Sequence, residues 1–76
     1  MIELDLHGLR HDRALQVVEN MVVGESQKGN FQLRIITGNS TVLQKKVTNE
    51  VLDELGFSWN IPSNNLGEII VNYVRL

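Results

Sequence analysis

The spacing of apolar residues changes period along this chain, from two to between three and four and back, twice over, and this alternation narrows the fold more than any other feature. Ile2, Leu4 and Leu6 alternate with Glu3 and Asp5, so Ile2 to Leu6 reads as a strand with one face in the core. His7-Gly8 ends it. From His11 onward, Ala14, Val17, Val18, Met21 and Val22 recur at three and four, with Leu15 on the flank, as an amphipathic helix requires. Asp12 near its start and Lys28 near its end complement the helix dipole, and Gly29 or Asn30 is placed to cap it in a left-handed conformation. Phe31, Leu33 and Ile35 then alternate with Gln32, Arg34 and Ile36 as a second strand. After the turn Thr37-Gly38-Asn39-Ser40, Leu43, Val47, Val51 and Leu55 recur every four residues. This predicts a second helix, capped by Asn39 or Ser40. Gly56 stops it, and Phe57 supplies the hydrophobic contact of a Schellman-type end. Phe57 to Ile61 reads as a short strand, Pro62 to Asn65 as a turn, and Glu68 to Val74, entered through Leu66-Gly67, as the last strand.

The order is therefore β-α-β-α-β-β. Helices of about four turns can carry the chain back over a sheet, which makes the first strands parallel. The short turn at Pro62 to Asn65 makes the last strand antiparallel to the one before it. Two helices cover one side only. The expected class is an α/β chain built as an α+β two-layer sandwich, a mixed four-stranded sheet with two helices on one face and the other face open. At 76 residues the whole chain, 1–76, is one domain. It contains no cysteine, so neither a disulfide nor a thiolate zinc site is available, and packing of the 42% hydrophobic residues must hold the core. No apolar run approaches the roughly 20 residues that cross a bilayer. Met1 to Asp5 lacks the basic and long apolar regions of a signal peptide, so a cytoplasmic, reducing location is expected. The formal charge of −2 argues against a protein that coats nucleic acid indiscriminately. Its distribution is uneven, however. Arg10, Arg13, Lys45 and Lys46 are four of the seven basic residues and fall near two loops, whereas Glu25, Glu50, Asp53 and Glu54 lie further away.

In open α/β sheets, sites form beyond the carboxyl ends of parallel strands, where successive β-α loops meet. Leu4 to Arg10 and Ile36 to Ser40 are those loops here, and each leads into the N-terminus of a helix, whose unpaired N–H groups suit phosphate oxygens. With His7, Arg10 and Arg13 beside them, this edge is an anion site on physical grounds alone. The same residues carry a resemblance. Leu4-Asp5-Leu6-His7-Gly8 resembles the LDLHG signature that opens Smr (small MutS-related) domains, and Thr37-Gly38-Asn39-Ser40 resembles a variant of their second signature, TGxG. Gly67 and the strand ending Val74-Arg75-Leu76 resemble the closing strand. The resemblance implies a fold similar to the C-terminal domain of translation initiation factor three, and binding of DNA or RNA, with endonuclease or nicking activity as a family property. It marks Gly8, Thr37, Gly38, Asn39 and Ser40 as nucleic-acid-binding candidates and Asp5 and His7 as catalytic ones; Arg10, Arg13, Lys45 and Lys46 join the binding candidates through their charge and their position near the two loops. One position departs from it: Ser40 stands where the family has a second glycine. A serine Cβ restricts φ and would alter a backbone wrapped close to phosphate; equally, serine is a good helix cap.

Histidine suits general base catalysis or hydrogen-bond donation to a transition state, and the alternative for His7 is a local bond to a backbone carbonyl. Asp5, two residues from both Glu3 and His7, could orient the imidazole, hold a divalent cation with Glu3, or pair across the sheet with Arg34. No cofactor is required by the residue types, and no His/Cys cluster has zinc spacing. Mg²⁺ remains compatible, since it needs only one or two carboxylates plus phosphate. Lys45 and Lys46 fall in the first two turns of the second helix, either reaching phosphate at its N-terminal loop or lining a solvated face. Trp59 and Tyr73 either stack on a base or pack at the core and edge. Three functions follow: a nuclease using His7 and Asp5, a module that binds nucleic acid without cutting it, and a domain that meets itself or another protein through the open sheet face and its edges.

Overall fold

A computed structural model of the chain describes residues 1–75. Strand β1 (Ile2–Asp5) is followed by helix α1 (His11–Lys28) and strand β2 (Phe31–Ile36). Helix α2 starts as a regular α-helix (Thr41–Val47), continues without a break through a wider π-helical turn (Thr48–Leu52), and finishes with one more turn (Asp53–Leu55). Strands β3 (Ser58–Asn60) and β4 (Glu68–Tyr73) complete the chain. The sheet order is β1-β2-β4-β3, with β1 parallel to β2 and β4 antiparallel to both of its neighbours. The last strand thus enters the middle of the sheet, and the short β3 forms one edge. No helix among the described residues is long and apolar enough to cross a membrane.

The covered face of the sheet presents Leu33, Ile35, Ile69 and Val71, all fully buried, to Ala14, Val18 and Val22 of α1 and to Leu43, Val47, Val51 and Leu52 of α2. Fully burying such an aliphatic side chain stabilises the fold by about 1.5–3 kcal/mol. The second helix differs from its expected stripe in one respect. Leu52 is fully buried, whereas Leu55 is 42% exposed. The π-helical turn is the cause: the Asp53 N–H bonds the Thr48 carbonyl five residues back, so each turn there holds more residues and the apolar face advances. At the helix end, Gly56 has φ +81; its N–H bonds the Asp53 carbonyl at 3.1 Å and the Phe57 N–H bonds the Leu52 carbonyl at 2.8 Å. That is the expected Schellman motif. Helix α1 ends differently. Gly29 (φ 132, ψ −149) is outside the left-handed helical region, and Asn30 instead accepts the Arg75 N–H at its side chain, 2.6 Å away.

Phe31, opposite Tyr73 in the register, stacks on it with ring centroids 5.4 Å apart, and Phe57 tilts against both. Trp59 packs against the core and its indole N–H donates to Asp53 Oδ1 at 2.8 Å. Both aromatic candidates thus pack within the fold, as the second of the two readings expects. On the open face Arg34 lies between Glu3 (3.5 Å) and Glu68 (3.6 Å), tying β1 and β4 to β2. The partner of Arg34 on β1 is thus Glu3 and not Asp5, because the parallel register sets Glu3 opposite Arg34 and Asp5 opposite Ile36. Ile36 and Ile70 share this face, and Gln32 donates to Asn72 across it at 2.8 Å.

Candidate functional site

Because β1 and β2 are parallel, both following loops leave the same edge of the sheet. The Leu6 N–H extends their pairing by one more bond, to the Ile36 carbonyl at 2.8 Å, and the strand geometry then stops. The Leu9 N–H closes a tight turn on the Leu6 carbonyl at 3.0 Å, with Gly8 in the third position at φ +84. Among the described residues no non-glycine has positive φ, so His7 fills the second position of a type II turn and Gly8 the one that demands glycine. Asp5 Oδ1 accepts the His7 backbone N–H at 2.9 Å. The strand ends at Asp5, so Asp5 and His7 do not share a strand face, and the Asp5 carboxylate braces the turn that carries His7.

His7 is exposed, and its ring lies beside the second loop. A Cβ built on Gly38 would stand 3.8 Å from His7 Cδ2. The two sequence motifs therefore meet at one point. Gly38 has φ +67, a conformation glycine adopts without strain. Its N–H and that of Thr37 both donate to the Gly67 carbonyl, at 3.0 and 2.9 Å. Gly67 comes so close that an added Cβ would be 3.4 Å from the Gly38 carbonyl. The buried Gln44 side chain donates through Nε2 to Thr37 Oγ1 (3.0 Å) and to the Leu66 carbonyl (2.5 Å). The Thr37 hydroxyl lies 3.1 Å from the Gly38 carbonyl and 3.2 Å from that of Gly67. Ser40 is the cap of α2, with φ −80 and its hydroxyl accepting the Leu43 N–H at 3.2 Å; Asn39 stays exposed beside it.

Around this edge stand the basic residues. Arg10 occupies the N-cap position of α1 without capping it through its side chain, and its guanidinium, exposed, lies 3.6 Å from Asp12. Arg13, also exposed, donates to Gln16 at 3.0 Å. Lys45 and Lys46 are the fifth and sixth residues of α2, in its second turn. Lys45 is exposed. Lys46 reaches across to the other helix, its Nζ 3.3 Å from His11 Nδ1 at the start of α1. An ammonium can donate to that nitrogen when it carries no proton. The described residues enclose no pocket, so the site is an open edge, and they contain no group of three His, Cys, Asp or Glu placed to hold a metal ion. Of the two carboxylates considered for a cation, Glu3 is engaged by Arg34 and Asp5 by the His7 N–H.

Sequence reasoning passed over three residues. His11 was read only as a helix start, and Gly67 as the entry to the closing strand with no part in the site. Gln44 carried a signal in retrospect, being a polar residue next to Leu43 and three before Val47, inside the buried face.

No curated protein and no solved structure matches the chain. The family model described as Smr domain matches residues 4–56, from the first residue of the LDLHG motif to the glycine that ends the second helix, and so takes in both loops. The chain belongs to the Smr domain family.

Proposed function

We propose that this domain binds the sugar-phosphate backbone of DNA or RNA at the edge formed by the two loops, and that His7 serves there as a general acid–base group in strand cleavage. The observation that carries the reading is the placement of the His7 ring against Gly38, which joins the two motifs at the mouths of two helix N-termini. Arg10, Arg13 and the Lys46–His11 pair supply positive charge along the same edge. In cleavage, a water oxygen (or an RNA 2′-hydroxyl) attacks phosphorus as His7 takes its proton. The bond from phosphorus to the leaving sugar oxygen breaks, and that oxygen gains a proton from solvent. Mg²⁺, if used, would have to draw ligands from phosphate and water as well as from Asp5.

A second reading, binding without cleavage, is favoured by one specific observation: Asp5 supports the turn and leaves the imidazole without a carboxylate to orient it. One experiment separates the two. The purified domain and its His7→Ala variant are incubated with labelled supercoiled DNA, branched DNA and structured RNA, with Mg²⁺, Mn²⁺ or EDTA. The nuclease reading expects nicking that falls by about a hundredfold or more in the variant. Cleavage equal in the two proteins would sink the role of His7. Retarded but intact nucleic acid would establish the binding module, and neither binding nor cutting would overturn both readings.

A further inference from the structure

One buried polar side chain ties the second loop of this edge to the segment that enters β4. Gln44 projects from α2 and donates at once to Thr37 Oγ1 in the β2–α2 loop and to the Leu66 carbonyl in the segment before β4. Since Gln44 donates to the Thr37 hydroxyl, that hydroxyl must pass its own hydrogen onward, and the acceptors within reach are the Gly38 and Gly67 carbonyls. The Gly67 carbonyl also receives the Thr37 and Gly38 N–H groups, and the His7 ring lies beside Gly38, 3.8 Å from where a Cβ on that residue would stand. The direction of the side-chain bonds is therefore set by one donor, from Gln44 through the Thr37 hydroxyl to the Gly38 or Gly67 carbonyl. An apolar residue at 44 would fill the same core position but leave the Leu66 carbonyl and the Thr37 hydroxyl without their donor.

We infer that Gln44 is a positioning residue for the nucleic-acid site: it holds the Thr37–Gly38 turn against Gly67 and so fixes the loop beside His7. The inference rests on the proposed function for what the site binds, and on the hydrogen bonds alone for what Gln44 does. It touches no ligand itself. Its loss should loosen the loop while the sheet and both helices persist, because Leu43 and Val47 continue to anchor α2.

The test uses the whole chain and Gln44→Met, which keeps the length of the side chain and removes the donor. Thr37→Val breaks the same chain at its next member, and Thr37→Ser retains the hydroxyl. Amide hydrogen exchange reports the loop directly. The amides of residues 37 and 38, which donate to the Gly67 carbonyl, should exchange faster in Gln44→Met and Thr37→Val, with those of Ile35 and Ile69 unchanged and Thr37→Ser like the parent. Affinity for a labelled oligonucleotide, measured where every variant is folded, should fall about fivefold or more in both disrupting variants, the cost of one ordinary hydrogen bond. The two losses should not add in the double variant, as expected for members of one network. Unchanged exchange at Thr37 and Gly38 in Gln44→Met would overturn the assignment whatever the domain binds. Faster exchange with parental affinity would overturn the link to binding. A parent chain that bound no oligonucleotide would count against the proposed function, and the exchange result would still decide what Gln44 does.

Discussion

The departure at Ser40 shows how a single residue's backbone angles decide between two readings of a motif. Where the family has glycine, this chain has a Cβ, which would matter only if the position required positive φ. It does not: φ is −80, open to any residue, while the conformation that demands glycine is confined to Gly38 at φ +67. Serine at 40 instead uses its hydroxyl to accept the Leu43 N–H. Ser40→Ala should therefore destabilise the domain by about 0.5–2 kcal/mol, and Ser40→Gly by only a few tenths. Urea unfolding measures both. Nucleic-acid affinity should be unchanged in Ser40→Gly, because the loop already has the backbone a glycine would adopt. A tighter-binding Ser40→Gly would mean that the hydroxymethyl group obstructs the site.

At the scale of elements, the ends of the second helix were readable from its residues and its middle was not. Ser40 and Gly56 are chemically specific signals, one an acceptor for an orphan N–H and the other a residue tolerant of φ +81. Space around Gly56 is open, so Gly56→Ala meets no clash and should cost only backbone strain, about 1–2 kcal/mol. Gly56→Asn, better suited to left-handed backbone, should cost less. Thermal or urea unfolding would show the order, and an alanine variant as stable as the parent would refute the argument from φ. The π-helical turn had no such signal. Leu52 and Leu55 are both leucines, and a regular period of four favours Leu55; only the packing of α2 on the sheet selects Leu52. The site shows the same division. His7, Gly8 and Gly38 lie in local turns whose sequence announces them, whereas the Gln44 bonds span seven and twenty-two residues and depend on β4 entering the sheet beside β2. The contact of Lys46 is equally non-local: His11 lies thirty-five residues away on another helix.

For the molecule as a whole, the relevant property is where its charge sits. With a formal charge of −2 the domain gains nothing from long-range attraction to a polyanion, so binding must come from a local group of cations. Arg10 and Arg13 flank the start of α1, and Lys46 is brought there from α2 by its contact with His11. Lys45 is exposed on the same turn as Lys46. If these four each neutralise one phosphate of a duplex, log K should fall against log salt with a slope of about −3 to −4, at about −0.9 per phosphate. A titration by fluorescence anisotropy over several salt concentrations gives the slope. Lys46→Gln should reduce its magnitude by about one unit and weaken binding to all sequences alike, as loss of a phosphate contact does. It should leave the fold intact, because the side chain lies at the edge of the core and no carboxylate depends on it in the ion pairs the structure contains. A slope that stayed the same in Lys46→Gln would remove that lysine from the interface. A slope near zero in the parent would mean that contact with the bases or the sugars, and not the phosphate, holds the nucleic acid, and the edge built from the two helix N-termini would lose its reason for being the site.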